Sequence, residues 1–118
     1  MRLRDFLNAD IAYTRAENEI REWVETRYPG LSIDFYPHLE IVRTSKRNFS
    51  EKRCRKITEV VNIKIGEILE KHADEIYVGE RLERIWQKHP DFDLDVKSID
   101  EIKRNPLFLK YLDELIIR

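Results

Sequence analysis

The spacing of apolar residues changes in the first third of the chain, and this change restricts the fold more than any other feature. Across residues 20–28, apolar side chains recur every three to four positions, which is typical of a helix. Pro29 and Gly30 then supply the signal that ends a helix. Across residues 31–41 the period becomes two, which predicts extended strand. The sequence therefore predicts both helix and strand.

The period-two segment is expected to form a pair of strands. Its apolar residues occupy odd positions on both sides of Pro37: Leu31, Ile33, Phe35, Leu39 and Ile41. Because proline cannot donate a hydrogen bond to a neighbouring strand, Pro37 marks either a hairpin corner or a sheet edge. A single long bent strand would also keep one face apolar, so that alternative stays open.

A long amphipathic helix is predicted from Ser50, as its cap, to about Lys71. One face of this helix carries the apolar residues Ile57, Val60, Val61, Ile68 and Leu69. At about 100° per residue, Ile63 lies about 240° and Gly66 about 180° from Ile57, on the side expected to face water. Either the helix is buried on two sides, or Ile63 and Gly66 are interface residues that meet a partner.

The second half of the chain mixes the two periods. Residues 76–79 are either a short strand or part of a helix that includes residues 80–88 and stops before Pro90. Apolar and charged residues alternate over residues 92–96, which predicts a half-exposed strand. A capping-box pattern at residues 98–101 and the proline at position 106 each predict the start of a further helix.

These elements predict an α+β fold in a single domain, residues 1–118, with about four or five helices packed on a small sheet of three or four short strands. The chain has no apolar run near the ~20 residues of a membrane span, and its first residues lack the apolar region of a signal peptide. Because Cys54 is the only cysteine, the chain cannot form an intramolecular disulfide. We therefore expect a cytoplasmic protein that does not interact with membranes.

Positive charge is concentrated in one segment, although the formal net charge of the chain is −1. Residues 43–56 carry seven basic side chains and one acidic one. Such a cluster predicts salt-dependent binding of nucleic acid or another polyanion. The residues expected to bind it are Arg43, Lys46, Arg47, Lys52, Arg55 and Lys56. The alternative is a solvated surface that the acidic residues of segment 74–101 neutralise.

Two short motifs resemble parts of nuclease sites. Arg84 and His89 are similar in spacing to the R-x₄-H motif of HEPN-type ribonucleases, which implies a histidine that transfers a proton and an arginine that holds phosphate. Asp95 and Lys97 resemble the D/E-x-K half-motif of restriction-endonuclease-like folds, which implies metal-assisted phosphodiester cleavage. The further acid that this chemistry needs would be Asp34 or Glu40.

No other pattern points to catalysis. The three histidines are far apart and lack the spacing of metal ligands, and no glycine-rich phosphate loop is present. We therefore expect no metal, no cofactor and no enzymatic activity. The favoured functional interpretation is a non-catalytic interaction module that associates with itself as a two-fold dimer. Polyanion binding by residues 43–56 is the alternative, and a small nuclease is the third hypothesis.

Overall fold

The computed structural model describes residues 1–36 and 40–116, with the side chains of residues 34–36, 40–43 and 45 outside that description. The described residues form six helices and one pair of strands. The helices are α1 (Leu3–Phe6), α2 (Ala9–Arg27), α3 (Glu51–Lys71), α4 (Ala73–Lys88), α5 (Ile99–Arg104) and α6 (Pro106–Ile116), and the strands are β1 (Ser32–Tyr36) and β2 (Glu40–Ser45).

The predicted α+β fold is wrong, because the protein is mainly helical. Within the described residues, strand pairing is confined to β1 and β2, which run antiparallel, so no helices pack on a sheet of three or four strands. The segment over residues 31–41 does form two strands rather than one bent strand. The hairpin corner expected at Pro37 lies outside the described residues, as does His38.

The strand predicted over residues 92–96 is also wrong. This segment is an extended loop with a single isolated bridge, between Arg2 and Asp95. Phe92 and Val96 are both buried among helices, which explains why apolar residues alternate with charged ones. Residues 76–79, for which strand and helix were both open, lie inside α4.

The described residues form two compact units. The first comprises Met1–Ala12 with Ala73–Arg118, and the second is Tyr13–His72. In the first unit, α6 contacts both α4 and α5. Its largest buried side chains include Leu3, Leu82, Ile85, Ile102 and Phe108. The assignment of the chain to a single domain stays a prediction.

The second unit is built around the packing of α3 on β2. Its buried core contains Ala16, Ile20, Val24, Leu31, Ile57, Val61, Ile65 and Ile68. Ser50 caps α3 as predicted, because its hydroxyl accepts a hydrogen bond from the backbone N–H of Arg53 at 3.2 Å. Gly30 has a φ of 79°, a conformation that favours glycine, between α2 and β1. In the described part of the chain, every helix is too short or too polar to cross a membrane.

Candidate interaction surface

One side of α3 is open to solvent. The opposite side is defined by the four buried residues Ile57, Val61, Ile65 and Ile68. The side chain of Ile63 is 68% exposed and that of Val60 is 39% exposed. A Cβ added at Gly66 would meet no atom within 4 Å. Ile63 and Gly66, predicted as a second face, are therefore exposed, and α3 is not buried on two sides. Val60 was expected on the same face as Ile57, and that expectation is wrong.

Charged residues flank this apolar pair on the same side of the helix. Eight exposed residues fall within about 120° of one another at about 100° per residue, and we call them the exposed α3 face. They are Lys52, Lys56, Glu59, Val60, Ile63, Gly66, Glu67 and Glu70. Because Val60 and Ile63 are three positions apart, their side chains are neighbours on the helix surface. Val60 and Ile63 thus lie between two charged ends, with the acidic residue Glu59 beside them.

The two ends of the exposed α3 face carry opposite charge. Lys52 and Lys56 lie toward the N-terminus of α3, and Glu67 and Glu70 lie toward its C-terminus. The helix macrodipole favours acids at the N-terminus and bases at the C-terminus. Lys52 in the first turn and Glu70 in the last turn have the unfavourable order. The stability of the isolated helix therefore does not explain this pattern of charge.

The basic residues predicted to bind a polyanion have different surroundings. Lys46 donates a hydrogen bond from Nζ to the carbonyl oxygen of Pro29 at 2.7 Å. Four others, namely Arg47, Lys52, Arg55 and Lys56, are exposed, and no described acidic side chain forms an ion pair with them. Arg43 lies opposite Asp34 in the pairing of β1 with β2, and its side chain falls outside the described residues. Four of the six predicted residues are therefore open to a ligand.

Two basic side chains of this segment pack on the same aromatic ring. The guanidinium carbon of Arg53 lies 3.8 Å from the centroid of Phe49, and Nζ of Lys46 lies 4.9 Å from it. Phe49 in turn packs against the core of the second unit. These cation–π contacts hold Lys46 and Arg53 against the protein. Arg53 was not among the predicted binding residues, and Phe49, the single aromatic residue of the segment, was the signal for this contact.

The two residues of the R-x₄-H motif do not point to one site. Arg84 is exposed on α4, and five positions along a helix turn a side chain by about 140° from its starting direction. His89 follows the last residue of α4, and its Nε2 lies 3.0 Å from Oε2 of Glu114. Its ring is stacked on Tyr111, with centroids 3.7 Å apart. His89 thus has contacts of its own that tie the end of α4 to α6.

Asp95 and Lys97 likewise lack the surroundings of a metal site. Oδ1 of Asp95 accepts a hydrogen bond from the N-terminal amine of Met1 at 2.6 Å, and this bond lowers the pKa of the Asp95 carboxyl. Among the residues that the structure describes, no three His, Cys, Asp or Glu side chains group to hold a metal ion. The side chains of Asp34 and Glu40 lie outside the description. The described residues therefore do not assemble the site that the D/E-x-K motif implies.

Two features of the second unit remain as candidates for function: the exposed α3 face and the four exposed cations near its N-terminus. The exposed α3 face could bind a partner by apolar contact, and the four cations could bind one by charge. Comparison of the chain with known protein families, with characterised proteins and with solved structures finds no significant match.

Proposed function

We propose that this protein is a non-catalytic interaction module that associates with itself through the exposed α3 face. The observation that carries the proposal is the pair of adjacent exposed apolar residues, with Ile63 68% and Val60 39% exposed. Complete burial of an aliphatic side chain of this size is worth about 1.5–3 kcal/mol. A contact that removes this pair from water is therefore favoured. A cytoplasmic setting is part of the proposal.

Gly66 supports the same interpretation. A glycine inside a helix costs about 0.5–1 kcal/mol relative to alanine, because its backbone is less restricted in the unfolded chain. Apart from its two chain neighbours and the nearby backbone of its own helix, no atom lies within 4 Å of the place that its Cβ would take, so packing against other parts of the chain does not require glycine there. An absent side chain beside Ile63 lets a partner approach the backbone closely. An interface at this position gives the glycine a use.

Self-association is tested by measuring molar mass as a function of concentration, by sedimentation equilibrium. We expect the mass of the wild type to rise toward that of a dimer, and Ile63→Glu to remain monomeric because it places charge at the apolar centre. Asn62→Glu is the matched control, since it adds the same charge to α3 about 100° away from Ile63. A wild-type mass that stays monomeric up to hundreds of micromolar would reject the proposal.

Polyanion binding is a second candidate function, favoured by one observation. Arg47, Lys52, Arg55 and Lys56 are exposed, and none of them has an ion-pair partner within the described residues. A protein that neutralises several phosphates releases their counterions, so its affinity falls steeply with salt. Such binding would use the end of α3 and the loop before it.

Fluorescence anisotropy with short duplex and single-stranded oligonucleotides, at two salt concentrations, tests this second candidate. We expect Arg47→Glu combined with Arg55→Glu to weaken binding and reduce its salt dependence. Lys88→Glu combined with Lys110→Glu is the matched control, because it makes the same change of charge at exposed residues outside the basic segment and should weaken binding much less. If the wild type shows no binding at the lower salt concentration, the polyanion function is rejected and the self-association proposal is unaffected.

A further inference from the structure

We infer that the partner of the exposed α3 face is the α3 helix of a second copy in antiparallel orientation, with Lys56 and Lys52 of each copy opposite Glu67 and Glu70 of the other. This inference rests on the proposed function, because it takes the exposed α3 face to be the self-association surface. It adds the orientation of the two helices and their register.

The register follows from the positions of the charges along α3. A two-fold axis that passes between the two helices, level with the midpoint of Val61 and Asn62, places residues of the two copies in opposite pairs. At 1.5 Å per residue, Lys56 and Glu67 each lie about 8 Å from this axis. Lys52 lies about 14 Å and Glu70 about 13 Å from it. Both oppositely charged pairs therefore match with one choice of axis.

The same axis brings the apolar residues together. Val60 and Ile63 each lie about 2 Å from it along the helix, on opposite sides, so Val60 of one copy faces Ile63 of the other. Gly66 lies next to this centre on the helix surface and allows close approach. An apolar centre with charged residues outside it is the usual anatomy of a protein interface. One register thus pairs six of the eight residues of the exposed α3 face, and Glu59 and Gly66 lie beside these pairs.

A parallel arrangement would have the opposite electrostatic result. It would place Lys56 beside Lys56 and Glu67 beside Glu67, and like charges in contact are destabilising. In the antiparallel arrangement, Lys52 lies near the C-terminus of the partner helix, where a cation is favourable for the macrodipole. Glu70 likewise lies near the N-terminus of the partner helix, where an acidic side chain is favourable for the macrodipole. The charge order that is unfavourable in one helix becomes favourable in the antiparallel pair.

The ion pair that Glu67 already makes is compatible with this arrangement. Nζ of Lys64 lies 3.3 Å from Oε2 of Glu67, and the Glu67 side chain remains 62% exposed. A carboxylate accepts hydrogen bonds at both of its oxygens, so Oε1 of Glu67 can accept from Lys56 of the second copy. Lys64 also lies 5.7 Å from the ring centroid of Trp23, which keeps it at the edge of the face.

The expected dimer is weak. One helix pair with a two-residue apolar centre belongs to the small, transient class of interfaces. Exposed ion pairs add little affinity each, and they act mainly on orientation and register. We therefore expect a dissociation constant in the micromolar range or weaker, and an orientation that depends on the charges.

Charge reversal and charge exchange test the orientation by sedimentation equilibrium, with circular dichroism to check that each variant is folded. Lys56→Glu and Glu67→Lys should each raise the dissociation constant about ten-fold, because each makes both symmetric copies of the pair repulsive. The double variant Lys56→Glu/Glu67→Lys restores two attractive pairs and should return to within about three-fold of the wild type. Arg55→Glu, which reverses charge on α3 outside the face, is the control.

The outcomes separate this inference from the proposed function. If Ile63→Glu abolishes the dimer but both single reversals leave it unchanged, the face is an interface and the antiparallel register is wrong. If the single reversals weaken the dimer and the double variant Lys56→Glu/Glu67→Lys does not restore it, Lys56 does not pair with Glu67. A monomeric wild type rejects the proposed function and this inference together.

Discussion

The side-chain oxygens of Thr44 and Thr58 lie 2.7 Å apart, and their hydrogen bond joins β2 to α3. Both hydroxyls also lie within hydrogen-bonding distance of the carbonyl oxygen of Cys54, at 2.9 Å and 2.8 Å. Thr44 is only 2% exposed. Because a buried hydroxyl requires a partner, this small network fixes how α3 packs on the strand pair. It thereby holds the helix whose opposite side is the exposed α3 face.

Thr44→Val is expected to lower the free energy of unfolding by about 1 kcal/mol, because the substitution keeps the shape and removes the hydrogen bonds. Urea denaturation of the purified protein measures the change. Thr26→Val is the matched control, since Thr26 is exposed on α2 and bonds only to a carbonyl of its own helix among the described residues. A Thr44→Val protein as stable as the wild type would show that the network does not stabilise the packing of α3.

Gly66→Ala and Gly79→Ala are expected to change stability in opposite directions. At position 66 a Cβ meets no atom within 4 Å, so alanine should raise the free energy of unfolding by about 0.5–1 kcal/mol. At position 79 a Cβ would lie 2.9 Å from the carbonyl oxygen of Asn8, and alanine there should cost about 1–3 kcal/mol. Chemical denaturation of both variants decides this. The prediction is wrong if the two substitutions act in the same direction.

Because of Glu19, the free energy of unfolding should depend on pH in the acidic range. A hydrogen bond and the charge of Lys71, together with His72, lower the pKa of the Glu19 carboxyl, although partial burial opposes them. The folded protein therefore releases this proton more readily than the unfolded chain does, and the contribution to stability is present above the unfolded pKa. It is lost as the pH falls through the lowered pKa of the folded state.

Unfolding at a series of pH values measures this contribution. Glu19→Gln should be less stable than the wild type near neutral pH, and the two curves should converge in acid. Glu25→Gln, an exposed glutamate on the same helix, is the control and should change stability little. A constant difference between Glu19→Gln and the wild type down to the most acidic pH would contradict the assignment.

His89→Ala is expected to lower the free energy of unfolding by about 1 kcal/mol, because the ring is stacked on Tyr111 at a centroid distance of 3.7 Å. Arg84→Ala removes the other residue of the motif, which is exposed, and should change stability by less than about 0.5 kcal/mol. Thermal unfolding of the two variants compares them directly. Equal stability for both would mean that the His89 contacts contribute nothing to folding.

The sequence predicted α3 well because its signals are local. The cap at Ser50, most of the apolar stripe and the unusual position of Ile63 depend only on spacing along one helix. Val60, which the stripe included, is 39% exposed. The strand at residues 92–96 failed for a physical reason, since an extended loop that inserts Phe92 and Val96 between helices has the same alternation as a strand. A period of two indicates extended backbone, but it does not show that this backbone pairs with a neighbouring strand to form a sheet.

Sequence patterns did not predict contacts between residues that are far apart in the sequence. Thr44 and Thr58 lie in different elements, and only the packing of β2 on α3 brings their hydroxyls together. The contact between His89 and Tyr111 depends in the same way on how α6 packs against α4. The candidate binding residues were predicted as a charged segment. In the structure Lys46 packs on Phe49, whereas Arg47, Lys52, Arg55 and Lys56 are exposed.

The close approach of Asn8 to Gly79 has a consequence for evolution. The carbonyl oxygen of Asn8 belongs to the backbone, so a side chain at position 79 requires the connection between α1 and α2 to shift. Any relative that shares this fold should keep glycine at position 79 whatever it binds. Position 66 is under no such restriction from the chain itself, so glycine retained there across relatives would indicate selection for a partner.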